Sequence, residues 1–297
     1  MLAQRSINVE TDVWAKLKDE AEKLNKNVTT FASEILADHV YKNPGTDRNV
    51  KGILLAAGMA SRMMELTDEK PKCMLEVNGK TLLQRQVNAF KSYNVNDLVV
   101  VRGYKKEAVN YADLKYYYDY NYRRGNILHS LMVAEPELNQ EFIVSYTDIL
   151  FKKEIVGKLL ESKADIAIIV DADWNKFYEG QLHRPAAELE KVTLDGNYVI
   201  KLGKNLNPNN TQGEFIGIAK FSKAGAEALK AVYADLKTKL GNSPFQAAPS
   251  LEKAYLTDML QELVDRGYKV EAVLINGGWL ELDDKSDFFN AQQVWTD

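Results

Sequence analysis

The chain has 297 residues, 45% hydrophobic and 27% charged, which supplies ample core material and shows no bias toward disorder. Lys and Arg total 38 against 42 Asp and Glu, a formal net charge of −4 that argues against a surface built throughout to neutralise nucleic-acid phosphates. One cysteine, Cys73, and three histidines exclude a disulfide framework, a multi-thiolate zinc site and a His-rich metal cluster.

In chain order, Gln4 to Glu10 alternates, with Ile7 and Val9 on one face, as a strand does. Thr11 then caps a helix with Val13, Leu17, Ala21 and Leu24 at helical spacing. After the polar break Asn25-Lys26-Asn27, Thr29 caps a second helix marked by Phe31, Ile35, Leu36 and Val40. A strand and two short helices bury too little surface alone, so dimerisation is expected. The pattern over residues 3–42 resembles a ribbon-helix-helix domain, the dimeric fold of small bacterial repressors and antitoxins. The resemblance implies a homodimer through residues 1–45 and would turn Gln4, Ser6 and Asn8 toward DNA bases. Residues 1–45 carry six basic and seven acidic side chains, so they lack a positive footprint. Dimerisation is therefore favoured over DNA binding. The first thirty residues hold acids and no apolar signal core, and no apolar run approaches the ~20 residues of a membrane span. A cytoplasmic protein with no membrane partner is expected.

The turn-rich stretch 43–48 separates residues 1–45 from a second domain, 46–297. From residue 50, β-branched runs alternate with helical stretches: Val50–Leu55, Thr81–Tyr93, Leu98–Val101, Phe142–Thr147, Ile155–Glu161 and Ile166–Val170. That alternation predicts an α/β fold with a mixed, mostly parallel sheet covered on both faces. Lys115–Tyr122, rich in tyrosine, reads as an edge strand. Val192–Leu194 and Tyr198–Leu202 flank Asp195-Gly196 and predict a hairpin in a small antiparallel lobe. Phe215–Phe221 and Val270–Leu282 read as further strands.

The chemistry concentrates where the first strand runs into Gly58-Met59-Ala60-Ser61-Arg62, followed by Lys70-Pro71-Lys72. A turn of small residues lets backbone N–H groups approach an anion, and Arg62 and Lys72 supply cations for a polyphosphate. Two other phosphate motifs fail. The dinucleotide fingerprint lacks its second and third glycines, and Gly79-Lys80-Thr81 has Met74 where a Walker loop needs glycine, so Val77-Asn78-Gly79-Lys80 reads as a tight turn.

Leu55-Ala56-Ala57-Gly58-Met59-Ala60-Ser61-Arg62 with Lys70-Pro71-Lys72 resembles the signature of the nucleotidyltransferase superfamily, over about residues 50–290, with Ala60 where the usual second glycine stands. The resemblance implies a Rossmann-like fold and an enzyme that joins a nucleoside triphosphate to a phosphorylated acceptor, releasing pyrophosphate. It implies that Leu55, Ala56, Ala57, Gly58, Met59, Ala60 and Ser61 hold the nucleotide, that Arg62 holds the triphosphate and that Lys72 bridges the reacting phosphates. It also implies Mg²⁺ between Asp148 and Asp283.

The stretches Asp171 to Tyr178, His183-Arg184-Pro185, Glu188 with Glu190-Lys191-Val192, and Gly213 to Gly217 resemble the cytidylyltransferase branch that activates phosphonates or phosphocholine. Its implied partners are CTP and a small phosphonate or phosphate such as 2-aminoethylphosphonate. Arg184 is a candidate clamp for the acceptor dianion. Asp258 and Glu281 are candidates for a primary ammonium, and Asn126 begins a helix bordering the acceptor. The alternatives are a phosphocholine or sugar-1-phosphate enzyme and, from another class, a ribbon-helix-helix regulator with a nucleotide-sensing domain.

Overall fold

The apolar run after residue 49 becomes β1 (Val50–Ala56), a strand buried along its whole length. The structure, a computed structural model, describes residues 11–24, 26–33, 35, 49–174 and 188–296. The chain divides into two units, Met1–Thr46 and Asp47–Asp297. In the first, Thr11–Lys23 is a helix, and a helical stretch follows at 28–33. Thr29 does not cap that stretch. Asn27 does, its Oδ1 accepting the N–H groups of Thr29 (2.9 Å) and Thr30 (3.4 Å). The strand expected at Gln4 to Glu10 lies outside the described residues.

In the second unit a hairpin of β2 (Glu76–Val77) and β3 (Lys80–Thr81) precedes β4 (Asp97–Arg102), β5 (Lys115–Tyr118) and β6 (Glu141–Tyr146). Then come β7 (Ile149–Phe151), β8 (Ile166–Asp171), β9 (Lys191–Asp195), β10 (Tyr198–Gly203), β11 (Gly213–Phe221), β12 (Val270–Ile275) and β13 (Trp279–Glu281). Nine of these form one sheet in the order β5-β4-β1-β6-β11-β8-β12-β10-β9. β1 runs parallel to both β4 and β6, and β12 runs parallel to β8. β11 is antiparallel to its neighbours β6 and β8, so the sheet is mixed. The β9–β10 hairpin extends this same sheet at one edge. β7 and β13 pair apart from it.

Asn78 and Gly79 both have positive φ, 48° and 77°, the geometry of a two-residue hairpin turn, so Gly79-Lys80-Thr81 is a hairpin and not a phosphate loop. Two strand expectations change. Val270–Leu282 is broken by Gly277 and Gly278, at φ 67° and 81°, which turn the chain out of the main sheet before β13. The edge strand stops at Tyr118 because Asp119, fully buried, is drawn into hydrogen bonds with Ser130 Oγ (2.8 Å) and the Asn121 N–H (2.8 Å).

Three apolar clusters follow from the side-chain periodicity. Alternate strand residues (Ile53, Val99, Val144, Ile168) meet the helices Ile127–Val133, Lys223–Leu240 and Leu256–Asp265 on one face. Their neighbours (Leu54, Val100, Ile143, Ile169) meet Leu82–Lys91 and Glu154–Glu161 on the other. A smaller cluster of Met63, Leu75, Val77, Leu82, Leu150, Leu282, Ala291 and Trp295 lies beside the sheet.

Glu137 ties the beginnings of two strands together. It accepts hydrogen bonds from Lys51 of β1, Lys115 of β5 and the Tyr117 hydroxyl (2.6 Å). Burial raises its pKa, but these three donors outweigh that and bring it down to about 2. Because Lys51 is itself buried, Glu137→Gln should cost about 3 kcal/mol in urea unfolding at neutral pH, the order seen when one partner of a buried pair is removed. The depressed pKa adds stability above about pH 4.5 that is lost as pH falls toward 2. The variant should therefore show a flatter acid limb than the parent; an unchanged limb would contradict this account.

Candidate active site

The carboxyl end of β1 is a switch point, because its two parallel neighbours lie on opposite sides of it and leave a crevice between their connections. A cleft of about 370 Å³ opens there, and Leu55, Ala56, Gly58, Ala60, Arg62 and Lys72 line it. A Cβ placed on Gly58 would meet no protein atom within 4 Å, so the glycine leaves room for a ligand against the backbone. Ala60 is left-handed (φ 49°, ψ 47°) and enters the 3₁₀ turn Ser61–Thr67 that carries Arg62. This explains why glycine is usual at this place in the signature: alanine holds the same turn under backbone strain.

Asp148 and Asp283 come to the cleft from opposite ends of the sequence. The turn between β6 and β7 carries Asp148, and buried Gln86 props it by donating to the carbonyls of Tyr146 (2.8 Å) and Ile149 (2.9 Å). β13 pairs antiparallel with β7, and the Leu282 N–H donates to the Asp148 carbonyl (3.0 Å). Strand alternation then sends Leu282 into the small apolar cluster and leaves Glu281 and Asp283 on the cleft.

Carboxylate oxygens of Asp148, Glu281 and Asp283 lie within 4.8 Å of one another. Asp148 Oδ1 is buried with no hydrogen-bond partner. An all-oxygen set with an unsatisfied ligand atom suits a hard divalent cation such as Mg²⁺, and these three residues could hold one. Lys72 Nζ stands 3.3 Å from Asp148 Oδ2 and 3.4 Å from Asp283 Oδ1. Burial lowers its pKa, but the fields of Asp148, Asp283 and Glu281 more than compensate and hold it above the ordinary lysine value, fully charged. Arg62 bridges Glu188 Oε2 (2.7 Å) and Asp283 Oδ1 (3.0 Å).

Other expected site residues fall elsewhere. Ala57 packs behind the turn against Gly103, and its carbonyl accepts the Tyr104 N–H (3.1 Å). Met59 is not among the cleft-lining residues. Asn126 borders the cleft, but its side chain is engaged: Oδ1 caps Ile127 (2.9 Å) and Nδ2 donates to the Lys253 carbonyl (3.0 Å). Asp258 is not among the cleft-lining residues. Its two oxygens accept the backbone N–H groups of Tyr255 (2.7 Å) and Ala247 (3.2 Å), which closes the N-terminus of Leu256–Asp265. Arg184 lies outside the described residues.

Tyr146, Glu188, Glu190, Lys204, Glu214 and Tyr255 also line the cleft and were not singled out by spacing as site residues. Glu188, Glu190 and Glu214 do lie in stretches that carry the cytidylyltransferase resemblance. Burial is the main influence on Glu190, pushing its carboxyl up to about 7 against the pull of Lys204 and Thr257. Burial and the surrounding carboxylates raise the Tyr146 hydroxyl well above the ordinary tyrosine range. The Cys73 thiol is pushed up by burial to about 12, which leaves it unreactive.

A switch-point cleft with an open glycine turn, two cations and a carboxylate triad defines a phosphate-handling α/β enzyme of the nucleotidyltransferase type. Residues 52–236 match the MobA-like NTP transferase domain, and the chain belongs to that family. It is 32% identical over 250 residues to CTP:phosphoglutamine cytidylyltransferase of Campylobacter jejuni, covering 80% of this chain and 97% of that one. It is 29% identical over 118 residues to CMP-5'-(3-aminopropyl)phosphonate synthase of Streptomyces rubellomurinus, covering 37% of this chain and 19% of that one. Among solved structures, CTP:phosphocholine cytidylyltransferase from Streptococcus pneumoniae superposes with a TM-score of 0.64 at 20% identity, covering 82% of this chain and 98% of that one. That last likeness is one of fold. Among the described residues no helix is long and apolar enough to cross a membrane.

Asp171, at the end of β8, touches nothing in the cleft yet sets the path of the segment that reaches it. Its carboxylate accepts Trp279 Nε1 (2.7 Å) and the N–H groups of Gly277 (2.9 Å) and Asp173 (3.0 Å). Asp171→Asn places an amide donor against one of these N–H groups and should loosen β13. Turnover should fall about 10- to 100-fold, the usual cost of losing a residue that orients ligating groups, with a shift in Trp fluorescence. Unchanged turnover would remove Asp171 from this role.

Proposed function

We propose that the protein is a Mg²⁺-dependent cytidylyltransferase that moves CMP from CTP to a small acceptor bearing a phosphonate or phosphate, such as 2-aminoethylphosphonate, and releases pyrophosphate. The observation that carries this is the contact of Lys72 and Arg62 with the Asp148–Asp283 carboxylates beside the open turn at Gly58. The C. jejuni relative's use of CTP, and the phosphonate in the name of the Streptomyces relative, support the nucleotide and the acceptor class.

In this reading an acceptor oxygen attacks the α-phosphorus of CTP. The new P–O bond forms as the bond to the bridging oxygen of the β-phosphate breaks, and pyrophosphate leaves with the electron pair. Asp148, Glu281 and Asp283 would hold the divalent ion, which supplies charge neutralisation to the phosphates. Lys72 and Arg62 have three and five donors, so each keeps capacity for phosphate oxygens while held by a carboxylate. No general base is required, because the acceptor is already an anion at neutral pH. Phosphoryl-type transfer of this kind depends mainly on in-line positioning and charge.

For residues 1–45 the reading is a dimerising unit of ribbon-helix-helix type, supported by the helix Thr11–Lys23, the helical stretch at 28–33 and the lack of excess positive charge. Sedimentation of the full chain should give a dimer; a monomer at micromolar concentration would refute this.

Lys72→Ala should lower kcat by about 10²- to 10³-fold with the fold retained by circular dichroism, the order lost when one stabilising donor is removed from a reacting centre. Pyrophosphate release measured across a panel of nucleotides and acceptors is the direct assay. Near-normal turnover in the variant would sink the role of Lys72. No turnover of the parent with any pair, alongside specific DNA binding, would replace the enzyme reading with a regulator.

A further inference from the structure

Tyr146 is held more firmly than its position beside a strand end requires. Its ring lies against Gly217, where a Cβ would approach Tyr146 Cδ2 to 2.5 Å and Cγ to 2.6 Å. Gly217 has φ 86° and sits where the register of β11 shifts between Phe215 and Ala219. On another side the ring meets Phe215 edge to face, with centroids 6.0 Å apart. A left-handed glycine and an aromatic edge thus seat one phenol in the cleft wall. This accounts for both ends of the Phe215-Ile216-Gly217 stretch.

The hydroxyl so placed is buried and has no hydrogen-bond partner. A buried hydroxyl left without any partner is costly, and in a cleft wall its oxygen marks a place where a ligand atom belongs. Glu190, Asp148 and Glu281 line the same cleft, and their charges bear on this hydroxyl. Asp148 and Glu281 stand in the carboxylate triad with Lys72 beside it. Glu188 is paired with Arg62. Glu190 accepts from the Thr257 hydroxyl at 3.2 Å, a neutral donor. Lys204, whose ammonium rests on the Tyr255 ring at 4.1 Å, offsets that carboxylate in part. A dianion at this end of the cleft would face carboxylates, whereas a cation would be neutralised by them.

The geometry points to Tyr146 as a specificity-determining residue: its hydroxyl and the Glu190 carboxylate form a two-point receptor for an acceptor's cationic nitrogen that still carries N–H bonds. The inference rests on the cytidylyltransferase reading and names the acceptor's second recognition element. Hydrogen-bonding geometry, and not charge alone, then does the selecting. A primary ammonium donates to both oxygens, while a quaternary one can donate to neither.

Three acceptors separate the possibilities: 2-aminoethylphosphonate, its N,N,N-trimethyl counterpart and ethylphosphonate, each assayed by pyrophosphate release with CTP. The parent should prefer the primary amine. Tyr146→Phe deletes only the hydroxyl, so its thermal melt should match the parent's. It should raise the KM for the primary amine about ten-fold or more, as expected for one hydrogen bond to a charged group. KM for CTP and for ethylphosphonate should stay within about two-fold, and the preference over the trimethyl compound should shrink. Glu190→Gln should show the same pattern, more strongly. An unchanged amine KM in Tyr146→Phe, or an equal loss with ethylphosphonate, would overturn the receptor while leaving the cytidylyltransferase reading intact. A parent that turns over none of the three overturns the proposed acceptor class, and this inference with it.

Discussion

The site is organised around a charge balance. Lys72 brings one ammonium into a nearly enclosed position between Asp148 and Asp283, and Arg62 adds a second cation on Asp283 and Glu188. Neither sign could be buried there alone, since an unpaired ion in such surroundings is strongly disfavoured. The turn at Gly58, the β6–β7 turn and β13 must therefore meet at one place. The carboxylates that would collect a divalent ion are the same ones that keep the two cations positioned before a triphosphate arrives.

That meeting point is held by apolar contacts immediately behind it. Met63 follows Arg62, Leu75 lies three residues after Lys72, Leu150 lies two after Asp148, and Leu282 separates Glu281 from Asp283. All four apolar residues belong to the small cluster beside the sheet. Polar groups reach the cleft because their neighbours are buried, and close packing makes the arrangement stiff. Asp171 and Gln86 add hydrogen bonds that fix the two backbone segments without entering the cleft. Phosphoryl-type transfer gains most from such fixed positioning.

Much of this was legible in the residues. The period of the apolar runs placed β1, β4, β6 and β8, and Asp195-Gly196 marked the β9–β10 hairpin, because each is a local signal in which pattern and turn chemistry agree. Arg62, Lys72, Asp148 and Asp283 were legible through the resemblance and stand together in the cleft. Asn126 begins its helix at the cleft as expected, whereas Asp258 does not line it, and the side chains of both serve a helix start. A short polar side chain near a helix start can serve a ligand or the helix itself, and only the fold shows that both are capping. The apolar stretch from Val270 to Leu282 hid its break because buried strands on either side of two glycines read as one run.

By itself the sequence determined the α/β class, the turn of small residues after the first strand and the cations and acids available for chemistry, since periodicity and local turn preference act over a few residues. Tertiary structure alone decided which acids meet and what lies opposite them. Asp148 and Asp283 are brought together only by the β7–β13 pairing, and Tyr146 shares the cleft wall with Glu190 only because Gly217 leaves room for its ring. Those contacts join residues tens to more than a hundred positions apart. Packing and strand register set them, and neither is expressed in any one segment of the chain.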